Sequence, residues 1–152
     1  DIASSIRELR SLSFDHVFMN PPYFKKNVVK KSPIPSSNQA KVETVPLSEW
    51  FSVARKRCKP KGKITIIQRV ERLPEIIECL GSHFGQITVQ PISSFKDSSP
   101  KTIIVQATKN SSAAFTLLAP KTVHKRDSVS GKVVYEEEFN KILRSGYPLL
   151  LN

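Results

Sequence analysis

The chain has 152 residues, 39% of them hydrophobic and 24% charged, which suits one globular domain and argues against a disordered chain. Its apolar runs fall short of the roughly 18 residues a membrane helix needs, and two cysteines, Cys58 and Cys79, are too few for a disulfide framework. Lysine and arginine total 24 against 13 acidic residues, a net +11 that attracts polyanions: nucleic acid first, an acidic membrane surface second.

Residues 2–10 read as a short helix, with Ile2, Ile6 and Leu9 on one stripe. Phe14 to Met19 (FDHVFM) follow, apolar on both faces, the pattern of a buried strand in a parallel sheet. Asn20-Pro21-Pro22 ends that strand, because prolines have no N–H for a ladder. Residues 24–46 are polar and carry proline and lysine; a connection this long is functional or partly mobile. Leu47, Trp50, Phe51, Ala54 and Cys58 recur at helical spacing, and Pro60 and Gly62 are expected to end that helix. Lys63 to Gln68 (KITIIQ) reads as a second strand. Pro74 suits a first helical turn, Ile76, Ile77, Leu80 and Phe84 give the apolar face behind it, and Gly85 closes the segment. Gln86–Ile92 and Thr102–Thr108 read as antiparallel neighbours because their connection, which includes Lys96 to Lys101, is short. Phe115–Ala119 adds an edge strand, and residues 136–144 a last helix with Phe139, Ile142 and Leu143 inward. The alternation predicts an α/β layered sheet with right-handed crossovers, ending in an antiparallel hairpin.

The chemistry points to Asn20-Pro21-Pro22-Tyr23. An amino group on an aromatic ring or amide has a delocalised lone pair and is a poor nucleophile. Acceptors around its two N–H bonds favour the tetrahedral geometry in which the lone pair can attack. Asn20 supplies an amide oxygen, and Pro21 and Pro22 supply carbonyls without competing N–H groups, on a loop stiffened by their fixed φ. Tyr23 offers a flat face for stacking a base. The loop follows a strand, where α/β sheets place their ligands. Asn-Pro is also a common turn starter, so a plain structural turn is the alternative. This chemistry requires no metal. His16, His83 and His124 have no partner at suggestive spacing and read as structural or surface residues.

FDHVFMNPPYF resembles the fourth motif of class I methyltransferases acting on exocyclic or amide nitrogens. The chain as a whole resembles the C-terminal part of the bacterial tRNA(Val) adenine-N6 methyltransferase family, also labelled predicted O-methyltransferases or small-domain methyltransferases. Ala40–Glu43, Leu47–Trp50, Lys59–Gly62, Arg69–Leu73 and Tyr135-Glu136-Glu137 carry the rest of the likeness. Pro60-Lys61-Gly62 departs from the family's Pro-Gly-Gly. The resemblance implies a Rossmann-like sheet, here without its first strands and their glycine-rich turn, so that residues 1–152 form the catalytic-loop part of one domain. It implies S-adenosyl-L-methionine as cofactor, with Asp1 and Asn20 on the cofactor side, and Asn20, Pro21, Pro22 and Tyr23 as catalytic residues. Lys25, Lys26, Lys30 and Lys31 would contact RNA, or simply form a solvated loop. The implied activity is methylation of an adenine amine in tRNA by a cytoplasmic enzyme with reduced thiols. A protein glutamine N5 or rRNA base methyltransferase, and a non-catalytic RNA-binding fragment, are the alternatives.

Overall fold

In the computed structural model, which describes residues 11–23 and 45–151, the run Phe14–Met19 forms strand β1. The expected helix over 2–10 and nearly all of the 24–46 stretch lie outside the described residues. Helix α1 (Leu47–Arg57) leads into β2 (Cys58–Arg69), a single 3-10 turn (Val70–Arg72) and helix α2 (Leu73–Leu80). Strands β3 (Phe84–Ser93) and β4 (Thr102–Lys109) follow, then the short strands β5 (Thr116–Leu117) and β6 (Lys121–Thr122). A separate hairpin, β7 (His124–Arg126) and β8 (Val133–Tyr135), precedes helix α3 (Glu137–Ser145).

The main sheet runs β1-β2-β4-β3-β5, with β6 also on β3. β1 is parallel to β2, and β5 and β6 are parallel to β3. β4 is antiparallel to both β2 and β3, so it alone reverses the common direction. The expected antiparallel pair is therefore present, as a reversed strand between two that run together. Parallel β1, β2 and β3 all end at one edge of the sheet, where β4 begins.

Side-chain alternation explains the core. Val17 and Met19 pair in register with Ile64 and Ile66, which in turn oppose Ala107 and Val105. All six lie on the face covered by α1 and α2 through Leu47, Phe51, Ala54, Ile76 and Leu80. Each strand thus gives every second residue to one helical layer. β1 is less buried than its composition predicts: Phe14 is 39% and Phe18 66% exposed. The physical reason is position. Among the described residues β1 pairs only with β2, and Phe18 projects from the face opposite the two helices.

Two boundaries and one burial pattern differ from expectation. Helix α1 stops at Arg57, before Pro60 and Gly62, which lie inside β2. The Lys109 ammonium donates to the Arg55 and Cys58 carbonyls (2.6 and 2.7 Å), satisfying acceptors that the helix end leaves over. Pro60 is tolerated because β2 bulges there, with Phe14 opposite Cys58 but His16 already opposite Lys63. Helix α2 ends at Gly81, whose φ of 49° favours glycine, and Phe84 and Gly85 already belong to β3. In α3 only Phe139 is buried, while Leu143 is 56% exposed rather than inward.

Gly85 serves close approach, not helix termination. A Cβ there would meet the Ser111 carbonyl oxygen at 2.1 Å, a backbone atom that no side-chain rotation can move aside. Gly85→Ala is therefore expected to destabilise the fold by about 1–3 kcal/mol or more, read as a lower urea midpoint at unchanged m. An unchanged midpoint would mean that the β4–β5 connection yields freely.

Candidate active site

The four residues Asn20 to Tyr23 leave β1 at the edge where β2 and β3 also end. This is the position at which open α/β sheets bind ligands. Within the loop the residues divide by burial. Asn20 is exposed, Pro21 is fully buried, and Pro22 and Tyr23 are half-buried. Pro21 anchors the loop and the Asn20 carboxamide faces out from it.

A residue absent from the sequence-based site holds the loop in place. Gln68, near the end of β2, is fully buried. Its Nε2 donates to the carbonyls of Pro21 (3.4 Å) and Pro22 (3.3 Å). Its Oε1 accepts from the Arg69 backbone N–H at 2.9 Å, which fixes the orientation of the amide. Both proline carbonyls thus have a donor from inside the protein, and each keeps a second lone pair. The signal for Gln68 was present in the sequence. It falls in phase with Ile64 and Ile66, where a polar residue must find internal partners or lose stability.

Polar groups continue along this edge. Arg69 pairs with Glu71 at 2.8 Å, and that hydrogen bond holds the Glu71 carboxyl below its ordinary pKa. Arg72 pairs with Glu75 at 2.9 Å on a largely buried site. The Val70 N–H donates to the Lys101 carbonyl, tying the end of β2 to the β3–β4 loop. At the far side of the edge, β6 pairs with Ile92 and Ser93, and the His124 N–H donates to the Ser94 carbonyl. The β7–β8 hairpin therefore rises from the same edge as the Asn20 loop.

Another run of basic residues lies elsewhere. Arg55, Lys56, Arg57, Lys59, Lys61 and Lys63 gather at the opposite edge, near the start of β1 and the end of β4. Several are engaged there: Lys59 with Asp15 (2.9 Å), Lys61 with the Asn110 carbonyl and Arg57 with the Leu12 carbonyl. Lys59 holds the Asp15 carboxyl below its ordinary pKa, chiefly through its hydrogen bonds. His16 bonds Thr65 (2.7 Å) and His83 bonds Arg55 (2.5 Å), both structural contacts. Among the described residues no group of His, Cys, Asp or Glu could hold a metal. No described helix is long and apolar enough to cross a membrane. Asp1, Lys25, Lys26, Lys30 and Lys31 lie outside the described residues.

No protein-family model matches the chain, and no curated protein does. Among solved structures it is similar to a predicted O-methyltransferase from Agrobacterium tumefaciens, with 22% identity and a TM-score of 0.68. That likeness covers 93% of this chain and 59% of the other, so the chain spans well under two thirds of its neighbour's length. It is more loosely similar to M1.HpyAVI, at 15% identity and a TM-score of 0.42 over 82% of this chain and 64% of that one. The M1.HpyAVI–SAM complex gives 14% identity and a TM-score of 0.45, covering 88% and 60%. The reversed β4 between β2 and β3, the two helices on one face and the first of these likenesses together define the fold: a mixed α/β, Rossmann-like sheet of the kind found in that predicted O-methyltransferase.

Proposed function

We propose that this chain carries the catalytic loop of an S-adenosyl-L-methionine-dependent N-methyltransferase that modifies the exocyclic amine of an adenine in tRNA. The observation that carries the reading is the Asn20-Pro21-Pro22-Tyr23 loop at the ligand-binding edge, with its backbone carbonyls oriented by Gln68. The fold likeness to a predicted O-methyltransferase supports methyl transfer. The chemistry of the loop favours nitrogen over oxygen as the acceptor, because it offers a row of hydrogen-bond acceptors and no general base for a hydroxyl.

The exposed Asn20 amide oxygen accepts one N–H bond of the target amine, and the Pro21 carbonyl, buried on Gln68, accepts the other when substrate seats in the loop. That draws the nitrogen towards tetrahedral geometry and aims its lone pair at the methyl donor. Tyr23, half-buried beside them, stacks on the base. The fixed φ of the two prolines stiffens the loop, which limits the reorganisation left at transfer. The cofactor, when bound, supplies an electrophilic methyl group on a sulfonium. An amide oxygen and a carbonyl without competing donors suit a cationic neighbour, and in this reading Asn20 meets both cofactor and base. Asp1 is the second cofactor contact in this reading. Lys25, Lys26, Lys30 and Lys31 follow the loop in sequence and would contact phosphate. The net charge of +11 favours nucleic acid over a protein glutamine as substrate.

The deciding experiment supplies the intact native protein with methyl-labelled cofactor and, in parallel, total tRNA, rRNA, DNA and a release-factor peptide bearing glutamine. Label in tRNA, recovered as N6-methyladenosine after digestion, is the expected result. Label confined to the peptide, or to a hydroxyl oxygen of any substrate, would replace this reading.

A further inference from the structure

A second cleft opens on the same edge of the sheet as the Asn20 loop. Between the β7–β8 hairpin and α3 lies a cleft of about 540 Å³, lined by His124, Val133, Val134, Tyr135, Asn140 and Arg144. That volume is within the range of small-molecule sites, about 300–1,000 Å³. We propose that this cleft binds a nucleotide flanking the target on the same single-stranded segment of nucleic acid. The proposal rests on the nucleic-acid reading above and adds a recognition site to it.

Four observations carry it. The first is position. The hairpin is joined to the ends of β3 and β6, while the Asn20 loop leaves the end of β1. β1 and β3 stand three places apart in the sheet, about 14 Å at the usual strand spacing, which a few nucleotides cover at about 3.4 Å each when stacked. Enzymes that act on a base take it from a single strand or turn it out of its stack, so nucleotides flanking the target on a single strand are free to meet a second site.

The second is an aromatic platform. The His124 and Tyr135 rings stack at 5.1 Å with an interplanar angle of 25°. Phe95, from the β3–β4 loop, packs on His124 at 5.8 Å. Tyr135 remains 37% exposed, so part of the ring stays open to a base. Stacking on such a ring suits any base, because every base has a π-face.

The third is charge. The acids of this region are engaged locally: Glu136 with Lys125 (3.4 Å), Glu137 with Lys141 (2.6 Å) and Glu138 with Lys121 (2.5 Å). Asp127 accepts from the backbone and hydroxyl of Ser130, both 2.7 Å, which lower its pKa and hold the hairpin turn. Arg126, Lys132 and Arg144 have no acidic partner among the described residues. Positive charge is therefore left over around the platform, as a phosphate backbone requires. The fourth is a reading group. Asn140 brings a side-chain amide, able to donate and accept at a base edge, to the wall of the cleft.

The test measures anisotropy of a labelled, adenine-containing single-stranded oligoribonucleotide titrated with the full chain. Tyr135→Ala is expected to weaken binding about tenfold or more, the usual effect of removing one stacking ring, and Tyr135→Phe to retain it. Arg144→Gln is expected to weaken binding and reduce the salt dependence by about one ion. Lys56→Gln, at the opposite edge, is expected to leave affinity within about twofold. Melting curves establish that each variant is folded. Wild-type affinity in folded Tyr135→Ala, or an equal loss in Lys56→Gln, would overturn the subsite while leaving the Asn20 reading standing, since methyl transfer is measured separately. Binding of a glutamine peptide in place of the oligonucleotide would overturn both.

Discussion

Asn20→Ala is expected to lower the turnover of methyl transfer by about 100-fold or more, the usual effect of removing one preorganised polar group from a reacting centre. Affinity for the cofactor should change little by comparison, because the amide acts on the amine as its geometry changes. Stability should hardly move: Asn20 is exposed and no hydrogen bond within the described fold depends on its side chain. The measurement is kcat in the intact native protein alongside cofactor titration by calorimetry. Unchanged turnover would remove Asn20 from the chemistry. A loss of cofactor affinity equal to the loss in rate would make it a binding residue instead. Asn20→Asp sharpens the result, since it keeps an acceptor of the same shape and removes the amide N–H bonds. Retained activity in that variant would show that the oxygen alone is needed.

The sequence showed its architecture where one period dominated. Lys63 to Ile66 alternate, and β2 places Ile64 and Ile66 in the core as that period requires, while Ile67 and Gln68 break it. Leu47, Phe51 and Ala54 keep helical spacing and are buried together. The short β3–β4 loop foretold the antiparallel pair. Elsewhere a distant group decided. The end of α1 depends on Lys109, more than fifty residues away in sequence, so the nearby Pro60 and Gly62 were misleading cues. Gly85 looked like a helix terminator, but its constraint is the Ser111 backbone across the turn. The β7–β8 hairpin was missed because each strand is only three residues long, too short to show a period, and β7 is the polar run His124-Lys125-Arg126. The candidate loop was legible as a motif, since Asn-Pro-Pro-Tyr after an apolar strand is a local pattern. What orients it was not, because Gln68 reaches it from the neighbouring strand, 46 and 47 residues along the chain.

Gln68 should therefore matter to activity as a positioning residue. Gln68→Leu fills the same space but leaves the Pro21 and Pro22 carbonyls and the Arg69 N–H without their present partner. Each buried polar group so stranded costs about 1–3 kcal/mol, so a fall in the urea midpoint accompanies the loss of rate. Stability alone would not show that Gln68 acts through the loop. Gln68→Glu makes that distinction. It keeps one oxygen for the Arg69 N–H and presents the other to two carbonyls. An ionised carboxylate there would repel both, and burial among carbonyls raises its pKa. Protonation restores a single O–H donor, enough for one of the two carbonyls. Turnover by Gln68→Glu should therefore recover as pH falls through the pKa of the new carboxyl, relative to the wild type at each pH. Cofactor affinity should follow pH far less than kcat does. A constant ratio of variant to wild-type turnover across pH, with the fold intact, would assign Gln68 a packing role and leave the loop's carbonyls to be held by the prolines alone.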